Sequence, residues 1–216
     1  MLTTPTTLLP LWLKLLYTLF VMILVPVYWK ALGLVNFLWG SDIALLLMVI
    51  GLWWESRFLV STVAVGVLLP ELFWVLDYFT HLVAGRDVIG LNATGYMFSG
   101  NTSMLVRTLS LFHVFLPLII IYALKQLSYD SRAFPAQIFL TWLVLPASYL
   151  LTDPAKNINW VFGITEVPQT WMPEIFYLFL LLILFPLIVF WPTHLLLRKI
   201  FPLEIDVYNH RFRLFR

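Results

Sequence analysis

The stretch FLVSTVAVGVLLPELFWVLDYF, residues 58–79, decides the class of this fold. At ~1.5 Å per helical residue it reaches about 33 Å, enough to cross the ~30 Å hydrocarbon core of a bilayer. It also carries Glu71 and Asp77. A charge in hydrocarbon costs roughly 2.5 to 3.5 kcal/mol even on lenient insertion scales, so an ionisable group in such a run marks a functional site.

Composition extends that reading to the whole chain. Of 216 residues, 62% are hydrophobic and 11% charged, and the mean hydropathy is +0.93. These values lie far from those of a soluble domain and describe an all-α, polytopic transmembrane bundle. About six apolar runs are present, at residues 8–28, 37–53, 58–79, 104–124, 133–152 and 171–197. They form a single transmembrane domain, 1–216, with Asp42 interrupting the second run early. A net charge of +2 gives no reason to expect a nucleic-acid partner. Without cysteine there is no disulfide, thiolate metal site or cysteine nucleophile. No metal or other cofactor is assigned by the residues.

Two longer connections, 85–103 and 153–170, are rich in Gly, Asn, Thr and Pro yet keep apolar and aromatic residues. That mixture predicts folded loops packed over the bundle. With six spans, Arg57, Lys125, Arg132, Arg198, Lys199, Arg211, Arg213 and Arg216 share one side. Lys30, Arg86, Arg107 and Lys156 share the other. The positive-inside rule then puts both termini in the cytoplasm, with residues 198–216 as a basic tail at the membrane surface.

The same topology gathers Asp42, Glu71, Asp77, His81, Arg107 and His113 toward the outer leaflet. His113 lies about 14 Å inside its span, level with Glu71. Its imidazole can be a general base, a metal or haem ligand, or a structural link between helices. Ser110 precedes it by one turn, and Ser41 supplies a hydroxyl in the second span. Asp42, Asp77 and Arg107 sit at matching depths on three spans, so an ion-pair triad is expected, either to fix packing or to relay protons. Asp77 and His81 are four residues apart, the spacing of a carboxylate-oriented imidazole. A bis-histidine haem on His81 and His113 conflicts with a depth difference of roughly 10 Å. Asn157, Asn159 and Trp160 bring two amides and an indole to the same region. Pro70 and Pro117, beside Glu71 and His113, should kink or unwind their helices.

The residues WGSDIAL at 39–45, LPEL at 69–72, SLFH at 110–113 and NINWVFG at 157–163 resemble those of a bacterial family of small polytopic membrane-associated proteins, over nearly the whole chain. That resemblance implies a bacterial inner-membrane location and no particular activity. More distantly, LSLFHVFLP at 109–117, followed by YDSR at 129–132, is similar to the androgen-induced intramembrane hydrolases of fatty-acid esters and their acyltransferase relatives. Those proteins pair a threonine or cysteine nucleophile with a mid-span histidine. The similarity implies that His113 is the base; the family's threonine is not matched, and Ser41 is the nearest hydroxyl in the second span. The expected function is therefore a lipid-ester hydrolase or acyltransferase with membrane lipid as partner. In it His113, Glu71 and Ser41 or Ser110 are catalytic, while Asp42, Asp77, Arg107, Asn157, Asn159 and Trp160 bind or stabilise charge. The alternative is a non-enzymatic accessory or scaffold subunit of a larger membrane protein complex.

Overall fold

The computed structural model describes residues 7–88, 90, 92–165 and 167–203, and among these the chain is all-α. His210 and most of the expected basic tail lie outside the described residues. The helices are α1 (Leu11–Leu32), α2 (Gly40–Trp53), α3 (Arg57–Ala84), α4 (Gly95–Phe98), α5 (Met104–Ser110), α6 (Phe112–Leu127), α7 (Ala133–Leu151), α8 (Glu174–Leu184) and α9 (Trp191–Ile200). A π-helical stretch, Phe185–Phe190, joins α8 to α9.

Burial follows the helical repeat. In α1, Leu13, Tyr17, Val21, Leu24 and Tyr28 are buried at intervals of three and four, whereas Leu11, Trp12, Leu15, Leu16, Leu19 and Met22 are exposed. α7 inverts the soluble pattern. Its buried stripe is Ala133, Gln137, Thr141, Leu145 and Ser148, while Phe139, Trp142, Leu143 and Leu150 face outward. Small and polar residues inward with apolar ones outward is the arrangement lipid favours, because packing and hydrogen bonds replace the hydrophobic drive between helices. An apolar surface this large is incompatible with water. Five helical stretches, Leu11–Leu32, Arg57–Ala84, Met104–Leu127, Ala133–Leu151 and Glu174–Ile200, are long and apolar enough to cross a membrane. The chain is thus compatible with an integral membrane protein.

The second expected span is the exception. α2 has 14 residues, about 21 Å, too short to cross alone. Gly33 takes φ +87°, Leu34–Leu38 close a 3₁₀ turn, and Trp39 is extended, so the helix begins only at Gly40. Asp42 therefore falls in the first turn of α2, where unpaired N–H groups favour a carboxylate. α2 still returns alongside α1: Tyr17 donates to the Leu45 carbonyl at 2.9 Å, Trp53 Nε1 donates to Thr18 at 2.8 Å, and Lys14 Nζ meets Glu55 Oε1 at 2.8 Å.

α3 is the central helix. Ser56 caps it by accepting from the Leu59 N–H, and every residue from Val60 to Leu68 is buried, since α2, α6 and α7 pack around it. Gly85 ends it at φ +68°, donating to the His81 carbonyl. Pro117 was expected to disturb the fourth span, but the break comes earlier, at Leu111 between α5 and α6. There the bonds tighten to i→i+3: Leu111 N–H to Thr108 O at 3.2 Å and Val114 N–H to Leu111 O at 2.9 Å.

Candidate functional site

A cavity of about 860 Å³ opens in the half of the bundle away from Lys14 and Glu55, at the large end for a small-molecule site. Its walls combine the start of α2, the second half of α3, the α5–α6 break, and α8 with the π-helical stretch. Ser41, Asp42, Glu71, Ser110, His113, Asn159 and Trp160 all line it. Asp77, Arg107 and Asn157 do not.

A short polar contact in the wall joins α3 to α6. His113 Nδ1 lies 2.7 Å from Glu71 Oε2. An ionised carboxylate only accepts, so with a neutral ring the pair puts the imidazole proton on Nδ1 and leaves Nε2 as the lone-pair nitrogen. Nε2 has no hydrogen-bond partner among the described residues. Trp74 and Phe112 stack on the ring, with centroids at 4.4 and 4.0 Å, and fix its plane. The Leu111 break turns His113 and Ser110 into the wall on successive helical segments, which a continuous α-helix would present differently.

The two serines differ. Ser110 Oγ lies 2.6 Å from Tyr28 Oη and donates to the Val106 carbonyl at 3.0 Å, so its proton is directed away from His113. Ser41 lies at the start of α2 with no such commitment. Asp42 is 3% exposed; its Oδ2 accepts from Asn36 Nδ2 at 2.9 Å, and its Oδ1 is buried without a partner.

The expected triad of Asp42, Asp77 and Arg107 does not form. Asp77 is fully buried, and its Oδ2 accepts from both the N–H and the hydroxyl of Thr94, at 2.9 and 2.7 Å. Arg107 donates to the Met97 carbonyl at 3.3 Å. The 92–98 segment thus bonds to each charge separately, a contact that spacing along the spans could not reveal, and leaves Asp77 Oδ1 and Arg107 Nε buried with no partner among the described residues. Nor do Asp77 and His81 pair: His81 stacks on Phe98 at 3.9 Å and its Nδ1 is buried without a partner.

Asn157 and Asn159 are builders of the loop. Asn157 donates to the carbonyls of Gly163 and Thr165 and accepts from the Phe162 N–H. Asn159 donates to Leu38 O and Ser148 Oγ, and accepts from the Gly40 N–H at 2.9 Å, holding the start of α2. Both have positive φ, which asparagine tolerates. Trp160 follows at φ +62°, a costly conformation for a bulky residue, and lines the cavity.

Sequence reasoning missed Tyr28, Asn36, Tyr96 and Tyr177, all of which line the cavity. Tyr28 was accessible in principle, since it continues the buried stripe of α1. Tyr96, in α4, was not. Burial pushes its phenol above the ordinary value, and the nearby charges of Glu71 and Asp42 push the same way. Comparison with protein-family models, curated proteins and solved structures finds no match for this chain.

Proposed function

We propose that the protein is a membrane-embedded enzyme that cleaves or transfers the acyl group of a lipid ester, with His113 as general base. The observation that carries this reading is the 2.7 Å contact between His113 Nδ1 and Glu71 Oε2 in the wall of a large, mostly apolar cavity. Glu71 orients the ring, selects the tautomer and stabilises the imidazolium that forms. Nε2 takes the proton of an attacking hydroxyl while that oxygen adds to the ester carbonyl. It then returns the proton to the departing alkoxide, so no net charge is created. Water as attacker gives hydrolysis, and a second lipid's hydroxyl gives acyl transfer. Ser110 is held by Tyr28 and Val106, so if an acyl-enzyme forms, its nucleophile is Ser41.

Comparison of membrane lipids with and without the protein tests this, together with turnover of long-chain acyl esters by the purified chain. The expected result is an altered lipid profile that His113→Ala abolishes. An unchanged profile and no ester turnover would overturn the reading and leave an accessory subunit as the better one. Ser41→Ala separates the routes: loss of turnover identifies an acyl-enzyme, retention identifies direct attack.

A further inference from the structure

We infer that the cavity selects a lipid whose headgroup carries an ammonium group; this rests on the enzyme reading above only for what happens next to that lipid. Among the described residues two carboxylate side chains, Asp42 and Glu71, line the cavity, and no lysine or arginine does. Lys156 reaches the Leu32 carbonyl but is not in the wall, and Arg107 is turned to Met97. His113 hydrogen-bonds to Glu71 and not to Asp42, and no lysine or arginine among the described residues pairs with Asp42. Its Oδ1 is buried with no partner among the described residues, and so is the hydroxyl of Tyr177 in α8.

An unpaired buried carboxylate is costly, and the cost is relieved by taking up a proton or by a cation brought beside it. Three features decide which kind. The remaining wall is aromatic, with Trp39, Tyr96 and Trp160 beside the polar groups, and aromatic faces attract ammonium and quaternary ammonium ions when both are removed from water. No group of three His, Asp or Glu side chains among the described residues is placed to hold a metal ion. The cavity also continues along the apolar residues Leu181, Phe185, Ile188 and Val189, which suits an acyl chain attached to the cation. An anionic headgroup would meet the field of two carboxylates with no positive side chain to offset it.

The test is equilibrium binding read by native mass spectrometry of the full chain in a neutral maltoside detergent. The probes are dioleoyl phosphatidylethanolamine, phosphatidylcholine and phosphatidylglycerol at equal concentration, with hexadecyltrimethylammonium measured separately. The ammonium-bearing phospholipids should bind about tenfold more strongly than phosphatidylglycerol, the order of one desolvated cation–aromatic contact. Binding of hexadecyltrimethylammonium alone supports the inference for a simple amphiphilic amine. Asp42→Asn can still accept from Asn36 and should bring the preference close to unity. Should that variant not fold, Trp160→Leu carries the test with the same expected loss. Phosphatidylglycerol binding as well as the others, with no binding of the alkylammonium, or a preference unchanged in the variants, overturns the inference. Because no turnover is involved, an intact preference in a protein without ester activity defeats the enzyme reading alone, and turnover without preference defeats this one alone.

Discussion

Glu71 shows how much one side chain can carry, because its Oε2 sets which nitrogen of His113 is free. In Glu71→Gln the amide can donate to Nδ1, which moves the proton to Nε2 and removes the base without changing the shape of the wall. Ester turnover should fall roughly 10²–10⁴-fold, the range of lost or misoriented general bases, with the variant still folded. Retained turnover would take Glu71 and His113 out of the chemistry. Glu55, at the other end of the bundle, makes a different kind of prediction. Burial pushes its carboxyl up, but the Lys14 ammonium and the N–H groups of Leu8 and Leu9 outweigh that and hold it below its ordinary value. A depressed carboxylate contributes stability that is present above the unfolded-state value, about 4.3, and is lost as pH falls below it. Melting in detergent should therefore drop on acidification through that range. In Glu55→Gln the drop should be smaller, from a neutral-pH stability lower by up to about 1 kcal/mol, since the pair is partly screened by solvent.

At the scale of the helices, α3 and α7 approach closely at Gly66. A Cβ built on Gly66 would stand 2.5 Å from Gln137 Nε2 and 2.6 Å from its Cδ. That amide donates to Thr141 at 3.2 Å, a bond it would give up in moving aside. Gly66→Ala gains helix propensity of up to ~1 kcal/mol but overpacks the contact at a cost of about 1–3 kcal/mol, so the variant should melt lower. Adding Gln137→Ala removes the obstacle and should make alanine at 66 neutral or stabilising. Additive effects of the two substitutions would show that the helices are not in contact as described. The extents of the helices were legible in the sequence, since the apolar runs at 104–124 and 133–152 fall within α5–α6 and near the limits of α7. The helix breaks were not. Gly33 and the 3₁₀ turn after it shorten α2, and the Leu111 break needs no proline, because both depend on contacts from other helices. Pro186 gives a similar case: it has no N–H for the Leu182 carbonyl, and the Trp142 indole from α7 donates to that carbonyl instead at 3.1 Å.

At the scale of the molecule, the depth argument from sequence brought Glu71 and His113 to one level, and the structure pairs them. It also grouped Asp42, Asp77 and Arg107, which instead bond separately to Asn36, Thr94 and Met97, because depth along a helix axis says nothing about direction around it. The distribution of charge gives an expectation for which end of the bundle faces the cytoplasm. Arg57, Lys125 and Arg132 gather at the end of Glu55 and Asp130, and the Tyr129 N–H bond to the Phe201 carbonyl brings Arg198 and Lys199 there too. Arg211, Arg213 and Arg216 follow in sequence from that end. Lys30, Arg86, Arg107 and Lys156 belong to the cavity end. The bias predicts that the cavity opens toward the outer leaflet. The chain has no cysteine, so single replacements at exposed positions test it directly. A membrane-impermeant maleimide should label Arg86→Cys and Lys156→Cys on intact cells, and Ser131→Cys only after permeabilisation. The reverse pattern would put the cavity on the cytoplasmic side, where its lipid would have to be drawn from the inner leaflet.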